Sequence, residues 1–190
     1  MPMKITFELS DTDLDHFRKV MISARKQSGD LSEDMIIENA RTLLNEVWSS
    51  ETSDFIRERM HRLETMIGMI VDPGWGLEES DRQRALQALS YFSEPEDLIP
   101  DDIPGLGFLD DAIMIEIVTQ ELEHEIHAYR DFCVFRAAES TRKGEEAMEL
   151  ERSDWLEERR KQLHSRMRRR RRRGRGGNDE KGGGSSFSLF

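Results

Sequence analysis

The chain has a single cysteine, Cys133, among 190 residues, so it cannot close an internal disulfide, and a reducing compartment is expected. Long apolar runs are missing as well. The longest stretches free of charge, residues 85–93 and 182–190, are nine residues each, less than half of the ~20 a helix needs to cross a bilayer. The opening MPMKITFELSDTD holds no apolar core of signal-peptide length, so export through a leader is not expected. Glycine is present, but GWG at 74–76 and PGLGF at 104–108 lack the lysine and the preceding strand that a phosphate-binding loop requires. These absences exclude a disulfide scaffold, a conventional transmembrane helix and a P-loop enzyme.

What is present is charge. Hydrophobic residues make up 36% and charged residues 35% of the chain, too apolar for wholesale disorder and polar enough for a water-exposed surface. The net charge of -11 conceals a division. Residues 151–190 carry 13 Lys and Arg against 6 Asp and Glu, a net of +7, while the other 150 residues carry 15 against 33, a net of -18. The body repels polyanions and the carboxyl-terminal segment attracts them.

Apolar periodicity and cap residues predict an all-α fold: one domain of about five to six helices, a short extended N-terminal arm and a disordered C-terminal tail. KITFEL at 4–9 alternates like a strand, and residues 1–30 form an arm and a first helix that opens on the Ser10/Asp13 capping box. Residues 31–143 form the helical body. Ser32 caps its first helix and Ser53 its second, which ends at DPGWG, 72–76, and Ser80 opens a short third. A long helix from Asp110 or Asp111 then carries Ile115, Val118, Leu122, Ile126, Tyr129 and Cys133 within about 80° of one another. A charged helix occupies 144–167, and 168–190 is an Arg/Gly-rich tail expected to be disordered.

The segment SEPEDLIPDDIPGLGFLDDA, 93–112, interrupts this pattern. Pro95, Pro100 and Pro104 forbid helix, yet Leu98, Ile99, Ile103, Leu106, Phe108 and Leu109 are too apolar for solvent, so the connector is expected to be pinned into the core. Aspartates that accept backbone N–H bonds would hold it, and Asp110 and Asp111 stand where a helix N-terminus favours negative charge. Residues 91–118, with Pro95, Asp97, Leu98, Ile99, Pro100, Asp101, Ile103, Pro104, Gly105, Gly107, Asp110 and Asp111, resemble the signature of the YkvA-like family, a bacterial domain of unknown function. The resemblance implies a domain placement without a reaction. It also implies membrane association in some relatives, from which the charges Glu94, Glu96, Glu116, Glu121 and Glu123 set this chain apart.

Three functional readings stay open, one of them, implied by the resemblance, a peripheral membrane association through the apolar connector. Asp97, Asp101, Asp110 and Asp111 could converge on a hard cation as a metal-dependent enzyme would require, although their spacing fails the calcium-loop template. Glu58/His61 and Glu121/His124 imitate a di-iron pattern but point away from the apolar stripes, and His124/His127 lack a third zinc ligand. With no convergent catalytic set and no cofactor expected, the leading reading is a cytoplasmic interaction module, with an inner-membrane periphery as its alternative location. Arg168, Arg169, Arg170, Arg171, Arg172, Arg173 and Arg175 would bind RNA, DNA or anionic lipid, or else an acidic protein surface, the chain's own body included. A protein partner and a homo-oligomer both remain compatible with the sequence.

Overall fold

The computed structural model describes residues 8–27, 31–93, 99, 103, 107–143 and 154–177. Among them are seven α-helices and no strand: α1 (Asp11–Gln27), α2 (Glu33–Ser49), α3 (Asp54–Val71), α4 (Glu79–Leu89), α5 (Leu109–Glu121), α6 (Glu123–Lys143) and α7 (Asp154–Gly177). A 3₁₀ turn, Ser90–Ser93, follows α4. The all-α class is as expected and the helix count is higher. Most of the expected strand, residues 4–7, lies outside the described residues.

Local chemistry sets the helix starts. The Ser10 N–H and hydroxyl both donate to Asp13 Oδ2, at 2.8 and 2.7 Å, which closes the capping box at α1. Ser32 Oγ accepts from the Met35 N–H and Ser53 Oγ from the Ile56 N–H, so each hydroxyl satisfies one of the donors that a helix start leaves over. Helix α4 differs from expectation. Its N-cap is Glu78, whose carbonyl accepts from the Asp81 and Arg82 N–H groups, and Ser80 lies inside the first turn.

The long helix expected after residue 110 is two helices. It breaks at Leu122, whose φ of -103° and ψ of 15° depart from helix geometry. No proline or glycine marks the place. The Arg84 guanidinium, reaching over from α4, donates to the Glu121 carbonyl at 2.5 Å and so occupies a backbone acceptor at the break. The apolar seam survives: Ile115, Val118, Leu122, Ile126 and Tyr129 are all buried, and Cys133 is half-buried.

The core is built by α2, α3, α4, α5 and α6, with Ile56, Met60, Leu63, Met66, Met69, Ile70, Leu89, Met114, Ile115, Leu122 and Phe132 fully buried. Ion pairs tie the helices together at the edge of this core. Arg59 and Arg62 of α3 meet Glu116 of α5, and Arg82 of α4 pairs with Glu33 of α2 while donating to the Ile70 carbonyl at the end of α3.

The turn after α3 is a second organising point. Asp72 Oδ1 accepts from the Gly74 and Trp75 N–H groups, and its two oxygens take a bidentate pair of bonds from Arg136 of α6 at 3.0 and 2.8 Å. Burial pushes the Asp72 carboxyl up, but Arg136, the Trp75 N–H and the Tyr129 hydroxyl outweigh it and hold it below its ordinary value. Gly76, with φ of +54°, completes the turn. This turn delivers Trp75 into the core, where its ring meets Tyr129, Phe132 and His164 at centroid distances of 5.9, 5.2 and 4.2 Å. Trp75→Ala should lower stability by about 3–5 kcal/mol, read as a shift in the urea midpoint; a change under about 1 kcal/mol would show that this junction does not hold the helices together.

Candidate polyanion-binding helix

Helix α7 lies antiparallel on α6, since the contacts Phe135–Arg159 and Glu125–Arg171 run in opposite orders along the two helices. Its apolar residues Leu156, Leu163 and Met167 are buried against the body. The helix continues straight into the arginine run. Helix α7 thus runs past the boundary expected at residue 167 and into the segment expected to be disordered from residue 168, as far as Gly177, while residues 144–153 and 178–190 lie outside the described residues. Like charges in a row oppose helix formation, and the acidic body supplies what offsets them.

Asp81 of α4 and Glu125 of α6 are among the almost completely buried carboxylates of that body. Arg171 Nη1 bridges them, at 2.5 Å to Asp81 Oδ1 and 2.8 Å to Glu125 Oε1. Arg84 pairs with the same Glu125 oxygen. Two buried acids are thus matched by two guanidinium groups, one from the body and one from α7. Burial pushes the Arg171 guanidinium down, but its bonds to Asp81 and Glu125 prevail and raise it. One turn earlier, Arg168 pairs with Glu78 at the start of α4.

His164 completes the contact. It is buried, edge-on to Trp75, and its pKa is pushed down to about 4, by burial first and then by Arg168 and Arg160, against the opposing pull of Glu78 and Asp81. The Asp81 Oδ2, Glu125 Oε2, His164 Nε2 and Trp75 Nε1 atoms are buried without a hydrogen-bond partner among the described residues.

The helical repeat separates the arginines by role. Arg168 and Arg171 turn inward to the acids. Arg166, Arg169, Arg170 and Arg173 are exposed and fall within about 100° on the helical wheel, a stripe at positions i, i+3, i+4 and i+7. Arg172 is exposed just beside it, and the Arg175 side chain lies outside the described residues. None of these exposed arginines pairs with a carboxylate among the described residues.

The connector's aspartates are placed differently. Asp110 and Asp111 are buried in the first turn of α5, and Asp110 Oδ2 accepts the Ile99 N–H at 3.1 Å, an aspartate holding irregular backbone. The Gly107 N–H donates to the Ile103 carbonyl, and Phe108 takes the left-handed conformation at φ of 63° just before the helix. Pro95, Asp97, Pro100, Asp101, Pro104 and Gly105 lie outside the described residues. Among the described residues no group of three His, Cys, Asp or Glu is placed to hold a metal ion. Glu58 pairs with Arg59 and Arg62, and His61 bonds Glu64 and packs on Trp48.

Residues 84–117 match the family model of a protein of unknown function, DUF1232. No curated protein and no solved structure matches the chain. The DUF1232 segment begins at Arg84 and covers the connector and α5 as far as Ile117, so it contains nearly all of the signature at 91–118. Helix α7 lies outside it. Among the described residues no helix is long and apolar enough to cross a membrane.

Asp81, Arg84, Glu125 and His164 were not singled out from the sequence, although two left a trace there. Glu125 falls between Leu122 and Tyr129 in a seam spaced by fours and threes, and Asp81 stands four residues before the buried Ala85. A charge on an apolar seam requires a partner from another element.

Arg171→Met should cost about 3–5 kcal/mol by leaving Asp81 and Glu125 short of one cation, whereas Arg173→Met should change stability by less than about 0.5 kcal/mol; equal effects in chemical denaturation would refute the bridge. Acid should loosen α7 before the rest of the fold. The folded pKa of His164, about 4, is below the ordinary 6.5, so the unfolded chain binds more protons between those values and stability falls as pH drops from 6.5 to 4, by up to about 3 kcal/mol. His164→Leu should flatten that window in thermal melts, and a slope identical to wild type would remove His164 as its cause.

Proposed function

We propose that this chain is a non-enzymatic, YkvA-like interaction module of the cytoplasm, in which α7 binds the phosphate backbone of single-stranded nucleic acid. The observation that carries the reading is the stripe of Arg166, Arg169, Arg170 and Arg173, exposed together while Arg168 and Arg171 are held by the body. Guanidinium groups bond phosphate in bidentate fashion, and a row of them along about 10 Å of helix tracks a strand without reading its sequence. The RGRGG sequence at 173–177 fits single strands bound with little selectivity.

A membrane surface is the weaker reading for a specific reason. Helices that lie in a bilayer interface bury an apolar face in it, and Leu156, Leu163 and Met167 of α7 already face the protein core. The metal-dependent alternative gains no comparable support from Asp110 and Asp111, both of which are engaged at the start of α5.

Four phosphate contacts predict that log K for single-stranded RNA falls with log salt at a slope of about -3. Replacing Arg166, Arg169, Arg170 and Arg173 together by glutamine should abolish measurable binding at physiological salt, because none of the four contributes to docking. Salt-insensitive binding, or binding unchanged in the quadruple variant, would overturn the reading, as would binding to anionic vesicles without binding to RNA.

A further inference from the structure

The arginine stripe is not uniform along its width. On the flank of the α6/α7 pair away from the Glu125–Arg171 bridge, a shallow open notch separates the two helices. Arg166 and Arg170 form its α7 wall, His124 and Asp131 its α6 wall, and Leu163 and Met167 lie in its floor. Arg169 and Arg173 stand outside it, on the outer face.

We infer that this notch seats one phosphodiester of the bound strand, gripped by Arg166 and Arg170 from α7 and by His124 from α6, with Asp131 limiting the affinity. The inference rests on the nucleic-acid reading of α7 and gives it a point of attachment. Arg166 and Arg170 are one turn apart, about 6 Å along the axis, so two forked donors reach the same small volume from successive turns. The apolar floor keeps water from one side, which strengthens charge-assisted hydrogen bonds over those made on an open helix face. His124 is half-buried on the opposite wall, and its ring can donate to an oxygen that the arginines leave free. Asp131 is the one acidic group in the lining, and it repels an anion there.

The two arginine pairs make an internally controlled test, since R166Q/R170Q and R169Q/R173Q remove the same charge from the same helix. Binding of full-length protein to a labelled single-stranded RNA at fixed salt should weaken at least tenfold more in R166Q/R170Q than in R169Q/R173Q. D131N should tighten binding severalfold, and His124→Ala should weaken it in the wild-type background while having little effect in R166Q/R170Q. Equal losses in the two double variants would overturn the notch while leaving the stripe as the binding face. No loss in either would overturn both. Preferential weakening of binding to anionic vesicles, with RNA binding absent, would place a lipid phosphate in the notch and overturn the nucleic-acid assignment.

Discussion

The bridge from Arg171 to Asp81 and Glu125 is the constraint on which the rest of the arrangement depends. Two carboxylates in the interior are unfavourable unless cations meet them, and the body supplies one guanidinium, Arg84, for the pair. Helix α7 supplies the other. Its docking is therefore fixed by charge as well as by Leu156, Leu163 and Met167, and Arg84 extends the same network to the break between α5 and α6. A buried ion pair is a poor source of net stability but a strong source of register. That matters in a run of six arginines, where the sequence itself offers no landmark. A shift of one residue would still present an arginine to the acids, but it would rotate Leu163 and Met167 off the seam. Only one register satisfies the apolar contacts and the acids together.

Register is what turns a run of identical residues into two surfaces. Once Arg168 and Arg171 face the body, the 3.6-residue repeat leaves Arg166, Arg169, Arg170 and Arg173 no choice but the opposite side. A disordered tail of the same composition would offer its charges in every direction, to the acidic body as readily as to a ligand. Helix formation protects part of the positive charge from the -18 of the body by committing another part to it.

Local signals made much of the fold legible in advance. Ser10, Ser32 and Ser53 announce their helices because a hydroxyl at that place meets donors a few residues away, and DPGWG ends α3 because proline and glycine act on the backbone directly. The apolar seam from Ile115 to Tyr129 was readable for the same reason. The break at Leu122 was not, since no proline or glycine marks it and the guanidinium that meets the backbone there, Arg84, comes from another helix, 37 residues from the carbonyl it occupies. The helical state of the arginine run was hidden in the same way. Glycines and like charges argue locally for disorder, and the opposing term is Asp81 and Glu78, about 90 residues away in sequence. The candidate binding residues were thus visible as a group, but their division into docking and exposed arginines was not, because tertiary partners decide it.

The DUF1232 segment and α7 stand in an asymmetric relation. The matched residues contain Arg84, which neutralises one charge of the buried pair, but not the second cation that the pair requires. A body with Asp81 and Glu125 is thereby incomplete without a guanidinium delivered from outside the matched segment. The acids create a demand that an appended basic helix can meet, and the helix that meets it necessarily displays its remaining arginines outward. On this argument the acidity of the body is not a barrier to polyanion binding that the basic helix must overcome. It is the feature that orders the helix and, by repelling phosphate elsewhere, would leave the exposed arginines of α7 as the place for the strand proposed to bind there.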